Sequence, residues 1–130
     1  EVNYHAAYEP KRAVRTARWK YIRRFGDKHT PVLPNCDDGL SKTVWLDYGW
    51  KDMQLPEESL YDLIFDPHER NNLASEKGFE KILAGMRARL DDWMHRTGDP
   101  LLNGPVPAPH GAQINNPNGI SPRETPDRIA

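Results

Sequence analysis

The sequence predicts an α+β fold, in which a small antiparallel β-sheet packs against a C-terminal amphipathic helix and an extended proline-rich tail follows. Three observations carry this prediction. Short runs of alternating or apolar residues occupy residues 1–25 and 60–65. Apolar residues recur at three- and four-residue spacing between residues 79 and 94. Prolines then punctuate residues 99–130, where large apolar side chains are few.

Length and composition limit the classes of protein to consider. A chain of 130 residues suits one ordinary domain, or a small domain with a tail. A net charge of −1 favours neither nucleic acid nor an anionic membrane as a partner, and no apolar run approaches the ~18 residues of a membrane span. The single cysteine, Cys36, excludes an internal disulfide and a cysteine zinc cage. The start at Glu1 suggests a cut inside a longer protein, although a processed or trimmed chain would look the same.

The first strands are indicated by alternation of apolar and polar residues. Residues 1–9 alternate in this way and predict a half-buried strand that Pro10 ends. Residues 12–16 and 19–23 predict the two arms of a hairpin, with its turn at residues 17–18. The second arm has apolar side chains on both faces. We therefore expect a sheet that a helix covers on one face and that is partly covered on the other.

The middle of the chain contains a long loop and then a strand. Residues 26–57 hold many glycine, proline and aspartate residues, which predicts a long loop or insertion. An apolar island at residues 44–48 is consistent with either a helical turn or an edge strand. Residues 60–65 predict a strand that ends at Asp66 and Pro67. The asparagines at positions 71–72 are expected to supply local side-chain hydrogen bonds.

The clearest predicted element is a helix that begins after Ser75, a plausible N-cap, and ends at Gly98. Residues 1–98 are thus predicted to form the folded subdomain. Residues 99–130 are predicted to form an extended or disordered tail without a core of its own. The apolar stripe of the helix comprises Phe79, Ile82, Leu83, Met86, Leu90, Trp93 and Met94.

The order of these elements, together with specific residues, resembles the C-terminal subdomain of the sulfatases. The residues that carry the resemblance are Arg-Thr-Ala-Arg-Trp-Lys-Tyr-Ile at 15–22, Leu-Tyr-Asp-Leu at 60–63 and Asp-Pro-His-Glu-Arg-Asn-Asn-Leu-Ala at 66–74, extended by 89–94 and 97–102. Two further stretches, residues 1–12 and 31–38, are similar to the heparan N-sulfatase (N-sulfoglucosamine sulfohydrolase) branch.

The resemblance implies that the chemistry lies in another part of the protein. Sulfatases have a large α/β catalytic domain and a smaller subdomain, in which a short antiparallel sheet packs on a C-terminal helix. The large domain uses a formylglycine, made from the first residue of a Cys/Ser-x-Pro-x-Arg motif, and a calcium ion. Cys36 is followed by Asp37, Asp38 and Gly39 and has no arginine four positions later. This chain alone is therefore expected to carry no cofactor and to be inactive.

Candidate site residues lie near the start of the chain. The resemblance implies that Tyr4, His5 and Arg12 border the active-site mouth of the parent enzyme and contact a sulfated sugar. The alternative is an interface strand with ordinary hydrogen bonds. The aspartates of the loop match no calcium-loop spacing, so no metal site is predicted.

A dense run of cations in residues 11–24 is a second candidate site. It could attract a polyanion, such as a sulfated glycan, through Arg15, Arg18, Lys20 and Arg23. The alternative is a solvated strand face whose charges pair with acids elsewhere. Nucleic acid is the least favoured partner, because no recognition motif accompanies the run.

Two functions are thus predicted. The first is the C-terminal part of a sulfatase. It would support the catalytic domain and shape the cleft for a sulfated glycosaminoglycan-type sugar, without catalytic residues of its own. Its partner would be the catalytic domain of the same protein, and family habit implies a periplasmic, lysosomal or extracellular location. The second is a free-standing module that binds anionic glycans through the hairpin at residues 11–24.

Overall fold

The computed structural model describes residues 2–128 of the chain. The strands within these residues are β1 (Val2–Tyr4), β2 (Tyr8–Arg15), β3 (Trp19–Arg24), β4 (Glu58–Asp62), β5 (Gln113–Ile114) and β6 (Asp127–Arg128). The helices are α1 (Leu40–Asp47) and α2 (Glu80–Thr97), and short 3-10 turns occur at Leu33–Asn35, Trp50–Asp52 and Pro100–Asn103.

A four-stranded antiparallel sheet has the order β1-β2-β3-β4, and β5 and β6 form a separate two-stranded ladder. The β2–β3 register runs from Lys11 opposite Arg24 to Arg15 opposite Lys20. The β3–β4 register places Tyr21 opposite Leu60. The predicted α+β fold, with a small antiparallel sheet and a C-terminal helix, is confirmed.

The hairpin between β2 and β3 turns where the sequence predicts it, although no Asn-Gly or Asp-Gly pair is present. Thr16 closes the turn instead. Its backbone N–H donates to the Trp19 carbonyl at 2.8 Å, and its hydroxyl oxygen accepts from the Trp19 N–H at 2.9 Å. A threonine hydroxyl can thus replace the usual turn residues by bonding to the local backbone.

The prediction that one strand spans residues 1–9 and ends at Pro10 is wrong. The chain bends after β1, and β2 continues through Pro10 to Arg15. Pairing with β3 begins at Lys11, one residue after the proline. Pro10 therefore breaks no hydrogen bond of that ladder, and a proline is tolerated at such a position.

The strand predicted at residues 60–65 also has different bounds, because β4 begins at Glu58 and ends at Asp62. The Asp62 carboxylate accepts from the Ile64 N–H at 3.2 Å, and the Asp62 carbonyl accepts from the Asp66 N–H at 2.7 Å. These bonds turn the backbone away from the strand, and Ile64 and Phe65 are left exposed.

The asparagine at position 72 completes the free edge of β4, as the sequence predicts. Its Oδ1 accepts from the Leu60 N–H at 2.9 Å, and its Nδ2 donates to the Glu58 carbonyl at 3.0 Å. The adjoining Leu73 N–H donates to the Leu60 carbonyl at 2.8 Å. An amide side chain and one peptide group thus take the place of a fifth strand, which protects the edge from pairing with another chain.

Helix α2 begins later than predicted and ends where predicted. The Ser75 N-cap is wrong, because Gly78 has a φ of 93° and interrupts the chain between Ser75 and the first helical residue, Glu80. The Glu80 carboxylate instead accepts from the Gly78 N–H at 2.9 Å. At the other end, Gly98 has a φ of 61° and its N–H donates to the His95 carbonyl, as expected for a glycine C′ residue.

The apolar stripe of α2 packs against the sheet. Its fully buried members lie at three- and four-residue spacing and are Leu83, Met86, Leu90 and Met94. On the sheet, Tyr21 and Leu60 are both fully buried opposite each other. The Trp19 and Phe79 rings meet edge to face with centroids 6.0 Å apart. The face of β3 that contains Trp19 and Tyr21 is therefore the one that the helix covers.

By their internal contacts, the residues divide into two compact units. The first contains residues 11–25 and 56–105, and hence the hairpin, β4 and α2. The second contains residues 2–10, 26–55 and the chain from residue 106 onward. The predicted boundary between residues 98 and 99 stays a prediction. Between residues 105 and 126, regular structure is limited to the β5 strand.

The second unit contains α1, so the apolar island at residues 44–48 belongs to a helix and not to an edge strand. Asn35 ties the loop to the start of β2, since its Oδ1 accepts from the Ala6 and Ala7 N–H groups at 2.9 and 2.7 Å.

The buried side chain of α1 is a lysine, Lys42. Its ammonium group donates to four oxygen atoms: the carbonyls of Leu33, Cys36 and Ile120 and the Asp38 carboxylate, at 2.6–3.0 Å.

No helix in residues 2–128 is both long enough and apolar enough to span a bilayer.

Candidate functional site

Arg12, one of the residues expected near substrate, lies in a buried ion pair. Its guanidinium donates to both carboxylate oxygens of Asp99, at 2.5 and 2.9 Å, and both side chains are 1% exposed. The Asp99 carboxylate also accepts from the Leu101 N–H at 3.0 Å and so caps the 3-10 turn that follows α2. This pair joins β2 to the end of the helix. The expected contact of Arg12 with a substrate stays a prediction.

Three of the four cations in the predicted anion-binding patch are also paired with acids. Arg18 forms two hydrogen bonds with Asp62, at 2.7 and 3.0 Å, which hold the pKa of that carboxyl below its usual value. Lys20 bonds to Glu69 at 2.6 Å. These pairs reduce the charge available to an external anion. They favour the interpretation of the basic run as a strand face with internal partners.

Arg23 has a looser partner. Its guanidinium lies 3.8 Å from the Asp91 carboxylate, and both side chains are partly exposed. An ion pair of this length at the surface contributes little to stability. Arg23 also lies over the Phe25 ring, 4.9 Å from its centroid.

A cluster around Glu58 was not predicted from the sequence. Glu58 accepts from the Arg87 guanidinium of α2, with an Nε–Oε1 distance of 2.7 Å, and from the Tyr21 hydroxyl. The bonds from Arg87 lower the pKa of Glu58. Burial, followed by the bond to Glu58, raises the pKa of Tyr21 well above its usual value. Glu58 lies opposite Arg23 across β3 and β4, and strand pairing could have predicted that contact from the sequence. The bond from Arg87 to Glu58 depends on how α2 packs on the sheet, so the sequence pattern does not predict it.

Arg15 is the member of the patch that remains without an acidic partner in residues 2–128. It is exposed on β2 and borders a groove of about 360 Å³ between β2 and α2. Arg89 lines the same groove and is likewise unpaired among the described residues, whereas Arg96 is bonded to Asp92 at 2.9 Å. The half-buried Trp93 ring also contributes to the lining. Two guanidinium groups without an acidic partner in residues 2–128 therefore border this groove.

Tyr4 and His5 lie in the second unit and differ in exposure. The Tyr4 hydroxyl donates to the Val106 carbonyl at 2.8 Å, and its ring contacts that of Tyr8 with centroids 4.8 Å apart. Burial raises the pKa of Tyr4. The His5 side chain is exposed. Of this pair, His5 is the one whose side chain is open to a ligand.

The residues of this chain do not fit a formylglycine or a calcium ion. The motif that would supply the formylglycine is absent around Cys36, a free cysteine. In the part of the chain that the structure describes, no group of three or more histidine, cysteine, aspartate or glutamate residues could hold a metal.

Comparison with known proteins identifies relatives for most of the chain. An ulvan-active sulfatase of Formosa agariphila is 32% identical over 111 residues, which cover 85% of this chain and 21% of that protein. The human N-sulphoglucosamine sulphohydrolase is 34% identical over 85 residues, covering 61% of this chain and 17% of that protein. No protein-family profile matches the chain.

A solved structure of a 2-O GAG sulfatase superimposes with a TM-score of 0.53 and 28% identity, covering 93% of this chain and 21% of that one. This chain is homologous to the C-terminal region of sulfatases. It spans about a fifth of the length of the sulfatases it matches. The predicted family, including its similarity to an N-sulfoglucosamine sulfohydrolase, is thus confirmed for this region.

Proposed function

We propose that this chain is the C-terminal part of a longer sulfatase that removes sulfate from a sulfated polysaccharide. The observation that carries the proposal is the match of 85% of the chain to about a fifth of an ulvan-active sulfatase. The names of the relatives share one substrate chemistry, since they refer to ulvan, a 2-O GAG and N-sulphoglucosamine. A sulfated sugar is therefore the substrate class that the comparisons favour.

Within such an enzyme, the chain would support the catalytic domain, which would carry the formylglycine and the calcium ion. The geometry of the first unit supports this role. Several of its charged side chains are used in internal pairs, among them Arg12 with Asp99 and Arg18 with Asp62. Such pairs help to hold the sheet and the helix in one arrangement. A rigid subdomain of this kind can position a few side chains at the edge of a cleft.

His5 is the residue of this chain that we propose as a substrate contact. Its side chain is exposed. It directly follows Tyr4, the last residue of β1, whose hydroxyl donates a hydrogen bond to the Val106 carbonyl. A neutral or protonated imidazole at that position could donate to a sulfate or hydroxyl oxygen. Arg12, in contrast, would contribute by holding the fold.

The test is sulfate release by the longer protein that includes this chain. Purified protein would be incubated with sulfated ulvan oligosaccharides, 2-O-sulfated GAG disaccharides and N-sulfoglucosamine, and free sulfate measured by ion chromatography. We expect release from at least one of these. His5→Ala should raise KM and leave the unfolding midpoint unchanged. Failure to release sulfate from every one of them would contradict the proposal.

A second candidate function is anionic-glycan binding without hydrolysis, and the groove beside Arg15 and Arg89 is the observation that favours it. Two guanidinium groups without an acidic partner among the described residues, next to an indole, suit a sulfate on a sugar ring. Heparin affinity at increasing salt tests it. The double variant R15A/R89A should elute at lower salt than a K77A control if the groove binds. Equal elution would remove this function.

A further inference from the structure

Helix α1 has its polar and apolar faces reversed relative to an ordinary surface helix. Its inward-facing positions are Lys42, which is 4% exposed, and Leu46, which is half-buried. A surface helix of a globular protein normally buries its apolar stripe and exposes its charges. In α1 the buried group is an ammonium ion, and its hydrogen bonds to four oxygen atoms fix the helix in place.

The other apolar side chains of α1 form one continuous outward stripe. Leu40, Val44 and Tyr48 follow one another at four-residue spacing, and Trp45 lies beside them. With Met53, just after the next 3-10 turn, these five side chains are 46–88% exposed. Single exposed apolar residues are ordinary, but a contiguous patch of five within 14 residues marks an interaction surface.

The chemistry of the adjacent hollow argues for a protein surface over a sugar. The hollow encloses about 430 Å³ and is lined by Cys36, Ser41, Lys42, Trp45, Trp50 and Met53. Its one cationic group, the Lys42 ammonium, is already bonded to four oxygen atoms. A site for a sulfated sugar needs several converging polar groups, and this lining offers few that are free.

We infer that the outward face of α1, together with Met53, is the surface on which the catalytic part of the same polypeptide packs. This inference rests on the proposed function. The chain spans about a fifth of the sulfatases it matches, so about four-fifths of a comparable protein lies outside it and can supply an apolar partner. The stripe contains no charge, which suits burial against such a partner.

Thiol labelling of the longer protein tests the inference. Val44→Cys and Tyr48→Cys place a thiol in the patch, and Ile64→Cys places one at a 61% exposed apolar position in the first unit. Each protein is treated with a maleimide in the native and the denatured state, and mass spectrometry of the peptide containing the site gives the labelling rate. Reading one peptide separates the introduced thiol from Cys36 and any other.

We expect labelling of the Val44→Cys and Tyr48→Cys thiols to be slowed at least about tenfold by folding, while that of Ile64→Cys is slowed far less. Three outcomes would overturn the inference. The first is labelling of both patch thiols at the rate of the Ile64→Cys control. The second is protection that disappears on dilution, which would indicate a second copy of the protein. The third is protection that appears only with added glycan.

Sulfate release measured on the same preparations separates this inference from the proposed function. An active protein with freely labelled patch thiols would contradict the docking surface and leave the sulfatase proposal intact. A protein with protected thiols that hydrolyses none of the sulfated substrates would contradict the sulfatase proposal alone.

Discussion

The two α-helices in residues 2–128 place their apolar side chains in opposite ways. Helix α2 buries Leu83, Met86, Leu90 and Met94 against the sheet, so its unit contains its own apolar core. Helix α1 buries a lysine and presents its apolar stripe outward. The first unit thus buries the apolar stripe of its helix within itself, whereas the second unit presents the apolar stripe of its helix to the outside.

The largest effect is expected at the ion pair that joins β2 to the end of α2. Asp99→Ala would leave the Arg12 guanidinium buried without its carboxylate, which should cost about 3–5 kcal/mol in the free energy of unfolding. Urea denaturation of the 130-residue chain measures it. Arg96→Ala breaks an exposed pair with Asp92 and should change stability by less than about 1 kcal/mol. Similar losses in both variants would show that burial does not decide the effect.

The corresponding anchor of α1 is Lys42. Lys42→Met keeps the length of the side chain and removes the donor to four oxygen atoms, including the carbonyls of Leu33 and Ile120. Unsatisfied buried acceptors should cost about 1–3 kcal/mol. Lys51→Met, at an exposed position, is the control. A Lys42→Met protein as stable as the control would mean that the polar interior does not fix α1.

Two glycines, Gly85 within α2 and Gly98 just after its last residue, test the helix more finely. Gly98 has a φ of 61°, so Gly98→Ala should destabilise the chain by about 1–2 kcal/mol. Gly85 lies within the helix, and no atom lies within 4 Å of an added Cβ. Gly85→Ala should therefore stabilise by about 0.5–1 kcal/mol. Thermal unfolding of both variants checks the opposite signs, and equal shifts would show that the C′ conformation is not what ends the helix.

The smallest effect concerns pH. Arg87 lowers the pKa of Glu58 in the folded chain, so the folded state binds a proton there less readily than the unfolded state does. The stability from this group is fully present above the ordinary glutamate value of about 4.3 and is lost as the pH falls below it. Glu58→Gln should remove that part of the pH dependence. Parallel unfolding curves at pH 7 and pH 4 for both proteins measure the difference, which should shrink at the lower pH.

Strong periodicity made α2 predictable, since tertiary packing agreed with the local pattern. Its start was missed because Gly78 takes a left-handed conformation that separates Ser75 from the helix. The end of β4 was missed because the Asp62 side chain bonds to the backbone inside an apolar run. In both places a single residue changes the direction of the backbone, and the hydrophobic pattern of the sequence does not predict such a change.

The charged residues were harder to interpret. The sequence shows the basic run but not its partners, since Arg12 pairs with a residue 87 positions away and Lys20 with one 49 positions away. Ion pairs between distant residues depend on the fold, so a cluster of cations in sequence does not predict a cationic surface. If a helix is assumed at residues 40–47, the spacing of the residues places Lys42 and Leu46 on one face and Val44 on the other. That spacing alone does not show which of the two faces is buried.

The central claim is that this chain supports a sulfatase and performs no chemistry alone. Sulfate release compared between the longer protein and the isolated 130-residue chain tests it most directly, with equal molar amounts on the same sulfated oligosaccharides. We expect sulfate release by the longer protein and none above the blank by the isolated chain. Sulfate released by the isolated chain, or by neither protein, would contradict it.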